Sequence, residues 1–295
     1  MNADHEPVTI RDCGPRDGLQ GEAPLSAADR AAIANGLAAA GVTDVEAVSF
    51  VSPRAVPAMA GAADVPQLLV PGNAVWWALV PNLRGCELAL EAAFDHLTVT
   101  VSASPVYSEK NTGMTIAESL AQVAQIRNAA GEAVIDAIVS FSFGSPYGDG
   151  VDAAGVAQVV VELRNAGVDR LTLADTTGSA TPRRIAAVLE HTGTAVGLHL
   201  HDTRATALTN AYAAYALGVR RFDTSIGGLG GSPFAPGAGG NLATEDLVLL
   251  FEDLGIDTHI NLDALLEVGA MVSGLIGRPV PSRVASAGGL PPFDV

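Results

Sequence analysis

At 295 residues, 48% of them hydrophobic, the chain is long enough to bury a large core, yet polar, glycine or proline residues interrupt every apolar run below membrane-spanning length. A formal net charge of −16 excludes the basic footprint that nucleic acid demands, and the excess acid reads as a solvated surface. Two cysteines, Cys13 and Cys86, are too few for a disulfide scaffold and fit a reducing cytoplasm, while Schiff-base chemistry would rest on one lysine, Lys110, in the polar stretch Ser108-Glu-Lys-Asn-Thr112, read as a loop.

The polar opening Met1-Asn-Ala-Asp-His-Glu6 runs straight into a strand pattern at 8–12, which predicts no signal peptide. Ser26 with Asp29 then makes an N-cap pattern for a helix at 27–40. Further strands are predicted at 44–50, 74–80, 96–102, 133–141, 169–174, 195–201 and 220–226. Alanine-rich helical patterns alternate with them at about 62–69, 84–93, 115–130, 152–166, 182–191, 204–217 and 243–254, and one more follows at about 261–276. A short motif recurs: Ala40-Gly-Val-Thr-Asp-Val-Glu46, Ala166-Gly-Val-Asp-Arg-Leu-Thr172 and Leu217-Gly-Val-Arg-Arg-Phe-Asp223. In each, a helix ends on a glycine suited to a left-handed C′ position and polar residues lead into a strand. Eight β/α units predict an α/β fold, a (β/α)8 TIM barrel, over a single domain 1–295, with the barrel at about 8–254 and a helical extension at about 255–295. An open doubly wound sheet is the alternative, but the first βα turn lacks its glycine fingerprint.

A barrel gathers its chemistry at the C-terminal ends of its strands. There the run Thr194-Ala-Val-Gly-Leu-His-Leu-His201 sets His199 and His201 on one strand face, either as two ligands of one ion or as two hydrogen-bonded histidines. Asp17, in Arg16-Asp-Gly-Leu-Gln20, and Asn241 complete an N/O set that suits a divalent cation, although Asp17 beside Gly18 also reads as a turn residue. Such an ion would act as a Lewis acid, Arg16 would stabilise an enolate oxygen, and Asp17 or Glu46 would move a hydroxyl proton. Those parts suit making or breaking a C–C bond next to a carbonyl. Glu46 and Ser49 share a face only if their strand is locally broken, and Glu46 and Asp175 also read as ion-pair partners for Arg16. The glycine-rich stretch 227–241 is either a slack linker or a lid. His5, His96, His191 and His259 read as structural or surface residues.

Gly14-Pro-Arg-Asp-Gly-Leu-Gln20, Ser49-Phe-Val-Ser-Pro53, Pro81-Asn-Leu-Arg-Gly85, Ser145-Pro-Tyr147, Asp175-Thr176, His199-Leu-His-Asp202 and Gly239-Gly-Asn-Leu-Ala-Thr-Glu-Asp-Leu247 occur in that order over nearly the whole chain. Together they resemble the 3-hydroxy-3-methylglutaryl-CoA lyases, within the metal-dependent TIM-barrel lyases and synthases. The resemblance implies cleavage of a tertiary 3-hydroxyacyl-CoA to acetyl-CoA and a keto acid, with Mg2+ or Mn2+ on Asp17, His199, His201 and Asn241. It implies Arg16 on the acyl carbonyl or enolate, Glu46 and Asp175 as acid–base or supporting carboxylates, and Gln20, Ser49, Ile138 and Ser145 about the substrate. A cytoplasmic homodimer or higher homo-oligomer goes with this reading. Three departures stand out: Ser232 replaces the cysteine of the family's lid loop, Ala23 a lysine, and Ile138 a strand-five tyrosine, which makes that wall more apolar. The alternatives are an aldolase or Claisen-type synthase, and a non-catalytic acyl-CoA or metal-binding homologue.

Overall fold

The computed structural model describes residues 6–231 and 239–291. Eight strands run parallel, each beside its sequence neighbour: β1 (Thr9–Asp12), β2 (Asp44–Ser49), β3 (Val75–Leu79), β4 (His96–Ser102), β5 (Val134–Ser140), β6 (Arg170–Ala174), β7 (Gly197–His199) and β8 (Arg221–Thr224). Pairing of β1 with β8 closes the barrel, so the fold is the expected (β/α)8 TIM barrel. The outer layer holds α1 (Ala27–Ala39), α2 (Leu83–Glu91), α3 (Pro105–Thr112), α4 (Ile116–Ala129), α5 (Ala153–Asn165), α6 (Pro182–Thr192), α7 (Ala207–Ala216) and α8 (Thr244–Asp253). Then come α9 (Leu262–Ile276), which packs on α1 and α8, and a short α10 (Arg283–Ala287).

Local sequence explains these boundaries. Ser26 caps α1 through the Asp29 amide, and Thr115 with Glu118 forms a full capping box on α4. The recurring glycines turn the chain from helix to strand with positive φ: +105° at Gly41, +82° at Gly167 and +105° at Gly218.

Three expectations are corrected. The helix at 62–69 is instead a chain of single 3-10 turns, Pro57–Met59, Ala62–Asp64 and Pro66–Leu68, because Pro66 lacks an amide proton and clashes with a preceding helical turn. The polar stretch around Lys110 is helix α3, opened by the Ser104 cap and Pro105 and stopped by Gly113. The strand at 195–201 ends at His199, and His201 instead makes an isolated antiparallel bridge to Asn241.

The interior of the barrel is charged where such barrels usually stack branched aliphatics. Arg11 donates through Nε and Nη2 to Asp223, and its Nη1 lies 3.0 Å from Asp136. Its guanidinium sits 5.1 Å from the centre of the Trp77 ring. All of these side chains are buried, so each carboxylate depends on its cation. Nearer the mouth, Thr244 donates to Asp12, and the Gly227 amide donates to both oxygens of Glu245. That fastens the turn after β8 to the first turn of α8.

Burial pushes the Asp12 carboxyl up to about 7 and the Glu245 carboxyl up to about 8. Each binds its proton more tightly folded than unfolded, so the stability they contribute is complete below about pH 4 and is lost progressively as pH rises to about 7 to 8. Urea midpoints should therefore still be falling between about pH 6 and about pH 8 and level off above that. Glu245→Gln, which keeps an acceptor for Gly227, should remove on the order of 2 kcal/mol of that fall. An equal pH slope in the variant would contradict the assignment.

Candidate metal and active site at the barrel mouth

Immediately after β1 the chain makes one wide helical turn over Gly14–Gly18, in which the Cys13 carbonyl accepts from the amides of Arg16, Asp17 and Gly18. A turn of this width is frequent at functional sites, and here it delivers Arg16 and Asp17 together to the mouth. Asp17 Oδ1 accepts from Arg16 Nη1 at 2.7 Å and from Gln20 Nε2 at 2.6 Å, and Oδ2 accepts from Asn241 Nδ2 at 2.6 Å. Burial opposes ionisation of Asp17, but Arg16 and the two histidines hold its carboxyl below the ordinary value.

His199, at the end of β7, places Nδ1 3.3 Å from Asp223 Oδ2 and Nε2 3.9 Å from Asp17 Oδ2. Burial works against its protonation, and contact with Asp223, reinforced by Asp17, raises its pKa nonetheless. The His201 ring centre lies 5.1 Å from that of His199. Burial, then the neighbouring His199, push His201 down to about 4, so it is a neutral imidazole. Ligand atoms of Asp17, His199 and His201 all fall within 4.8 Å of one another.

This arrangement can be tested for fit to a metal ion. Both His201 ring nitrogens and Asn241 Oδ1 are buried without a hydrogen-bond partner. Orphaned groups of that kind cost about 1–3 kcal/mol each, a penalty that coordination removes. An ionised carboxylate, imidazole nitrogens and an amide oxygen form a donor set for a divalent cation. The residues fit.

Around this set stand two further carboxylates. A register shift between Glu46 and Val48 makes Ala47 an extra residue in β2, which breaks the alternation and puts Glu46 and Ser49 on one side. Arg16 holds Glu46 Oε2 at 2.5 Å, and Oε1 stays buried and unpaired. Asp175 instead accepts on Oδ1 from the amides of Ser179 and Ala180, and burial pushes it up to about 6. Glu46 is thus an ion-pair partner of Arg16, whereas Asp175 is held by its own turn. Gln20, Ser49 and Ile138 line a cavity of about 500 Å3 together with Arg16, Asp17 and both histidines. Ser145 lies apart, beside Ser104 and in a neighbouring cleft.

Ser232 lies outside the described residues. The glycines bordering it are under close constraint: Gly230 has φ +108°, and a Cβ there would meet Asn241 Nδ2 at 2.4 Å. A slack linker has no such requirement.

Arg11 and Asp223 escaped the sequence reading. Strands buried on both faces read as nearly continuous apolar runs, so ionised residues inside β1 and β8 were the available signal. Asp223 bonds His199 Nδ1 and is itself gripped by Arg11, which aims Nε2 at Asp17.

Fold and donors together define a TIM barrel whose mouth gathers a donor set that fits a divalent cation. The chain belongs to the HMGL-like family, whose model matches residues 7–272. It is 39% identical over 285 residues to a hydroxymethylglutaryl-CoA lyase of Bacillus subtilis, covering 94% of this chain and 95% of that protein. It is 40% identical over 302 residues to an (R)-citramalyl-CoA lyase of Chloroflexus aurantiacus, covering 96% and 95%. The solved structure of an HMG-CoA lyase from Acinetobacter baumannii, in complex with coenzyme A and 3-methylmalate, matches it with a TM-score of 0.93 at 37% identity over 100% of both chains.

Calorimetric titration with Mn2+ checks this site. His201→Ala should lose binding while keeping the wild-type circular dichroism spectrum, and Asp223→Asn should bind about tenfold more weakly. Unchanged affinity in His201→Ala would remove that residue from the site.

Proposed function

We propose that this protein is a divalent-metal-dependent carbon–carbon lyase. It cleaves a tertiary 3-hydroxyacyl-CoA, 3-hydroxy-3-methylglutaryl-CoA or a related thioester, to acetyl-CoA and a keto acid. The observation that carries this reading is the convergence of Asp17, His199, His201 and Asn241 with polar atoms left buried and unpaired. Likeness over nearly full length to lyases of hydroxymethylglutaryl-CoA and citramalyl-CoA supports it.

Those four residues would hold Mg2+ or Mn2+, which supplies a Lewis acid for hydroxyl and carbonyl oxygens of the substrate. Arg16 is kept cationic by Glu46 and Asp17, and it faces the same cavity. It stabilises the negative charge that develops on the thioester oxygen. The C3 hydroxyl gives up its proton to a carboxylate, for which Glu46 Oε1 and Asp17 are the candidates. The C2–C3 bond then breaks: C3 becomes the ketone of the keto acid, and the electron pair passes to C2 as the enolate of acetyl-CoA. A proton delivered to C2 completes the reaction, and Ser232 is our candidate for the lid-loop donor. Asp175, with Oδ2 unpaired and buried, is a second acid–base candidate.

We take residues 1–295 as one catalytic domain working in the cytoplasm as a homodimer or higher homo-oligomer. Two buried free cysteines support the reducing compartment, and exposed Tyr212 and Leu217 supply apolar surface for assembly.

Incubation with 3-hydroxy-3-methylglutaryl-CoA and Mn2+ should release acetyl-CoA, and a chelator should stop it. Arg16→Met should lower kcat by about a thousandfold. A hydroxyl is a far weaker acid than a thiol, so Ser232→Cys should raise kcat, by about tenfold. Failure to cleave any hydroxyacyl-CoA with Mn2+ demonstrably bound would favour the non-catalytic alternative.

A further inference from the structure

We infer that a second cleft, beside the metal donors but separate from them, binds a phosphate group between Arg184 and Arg204. The site goes beyond the lyase reading and does not depend on it.

The cleft, of about 760 Å3, lies among the loops that follow β5, β6 and β7 at the C-terminal face of the barrel. Arg184, in the first turn of α6, and Arg204, in the loop before α7, both line it and both are exposed. They meet on one turn. Arg204 Nη1 donates to the Thr177 and Gly178 carbonyls at 2.7 and 2.8 Å, and Arg184 Nη1 donates to the Ser179 carbonyl at 2.9 Å. Three consecutive carbonyls thus bring the two guanidiniums to one place. Arg184 Nη1 also donates to the Phe143 carbonyl at 3.1 Å, on the loop after β5. In both residues Nη1 does all of this holding, which leaves the Nε–Nη2 edge unspent among the described residues. That is the edge with which Arg11 grips Asp223, and it is the fork that takes an oxyanion through two parallel bonds.

Charge makes the pair unusual. Acidic residues outnumber basic ones by 32 to 16, yet among the described residues neither arginine forms an ion pair with a carboxylate. Asp152, the one carboxylate on the lining, caps α5 through the Gly155 amide, and Asp175 accepts on Oδ1 from the Ser179 and Ala180 amides. Two neighbouring cations repel each other until an anion joins them.

Hydroxyl groups on the lining select the anion. The Thr181 hydroxyl accepts from the Arg184 amide and keeps its own proton to donate. Those of Thr177 and Ser179 lie 3.0 Å apart, so one of the two has a proton to spare, and the Thr206 hydroxyl has no partner. Two cationic forks with three hydroxyl donors suit a phosphate, with its several acceptor oxygens, better than a carboxylate with two. The cleft adjoins the active cavity without opening on the metal donors: Ser140, Ala174 and Thr176 line the cavity, and Ser142 and Thr177 line the cleft. The phosphate therefore comes either from the carrier of the thioester or from a separate phosphorylated ligand.

Calorimetric titration of the full chain with inorganic phosphate, at fixed ionic strength and without added metal, tests the site. Binding should saturate at one equivalent, and Arg184→Gln and Arg204→Gln should each weaken it about tenfold. Arg183→Gln, which removes an exposed charge next door, should leave it unchanged. Should Arg204→Gln disturb the turn in circular dichroism, Arg184→Gln carries the same expectation. Competition by coenzyme A but not by pantetheine would assign the group to the carrier, and no competition by either would assign it to a separate ligand. Absence of saturable binding overturns the inference, as does affinity unchanged in both variants or lost in Arg16→Met alone. None of these results bears on cleavage of a hydroxyacyl-CoA, so the lyase reading is tested apart.

Discussion

The hydrogen bond from Asn241 to Asp17 joins the first βα turn of the chain to the last long loop, 224 positions apart. It is possible only because β1 and β8 are neighbours, that is, because the barrel closes. The bond orients both partners: Asp17 keeps Oδ2 toward His199, and Asn241 spends its amide nitrogen there and on the Leu229 carbonyl, which leaves Oδ1 unspent. The antiparallel bridge from Asn241 to His201 ties the fourth donor into the same knot. Gly230 presses against the back of this pair so closely that no larger residue fits. Fold topology and site geometry are therefore one constraint.

Beneath the mouth, charge is organised in two tiers, each built on one buried arginine between two carboxylates. Arg16 serves Asp17 and Glu46, while Arg11 serves Asp223 and Asp136. The upper tier carries two carboxylates to one arginine, so a cation at the mouth enters a field already prepared for it, whereas Arg221, 3.7 Å from Asp136, neutralises the lower one. The tiers communicate through His199, which lies between Asp17 and Asp223. Its orientation depends on a salt bridge deep in the barrel, a dependence that local sequence around the HxH motif does not reveal.

Much of the fold was legible because strand and helix periodicities differ and because turn glycines recur at each helix-to-strand junction. All eight strands were located, and the motif at Gly41, Gly167 and Gly218 marked real left-handed turns. The failures have local causes. Alanine content suggested a helix where Pro66 permits only 3-10 turns, and polarity around Lys110 hid a helix whose cap and stop residues were nonetheless present. In the site, the pairing of His199 with His201 followed from strand alternation, although His201 reaches its place two residues beyond the strand. The bulge at Ala47 was needed to bring Glu46 and Ser49 together, and no property of Ala47 announces it. Arg11 and Asp223 meet across 212 positions, so their partnership becomes visible only once the barrel is closed.

The central claim is that one cation sits where Asp17, His199, His201 and Asn241 meet. Anomalous diffraction from a crystal soaked in Mn2+ tests it most directly. The account predicts a single strong peak within coordination distance of all four side chains. A peak elsewhere, on Cys13 and Asp223 for example, or none at saturating Mn2+, would contradict it.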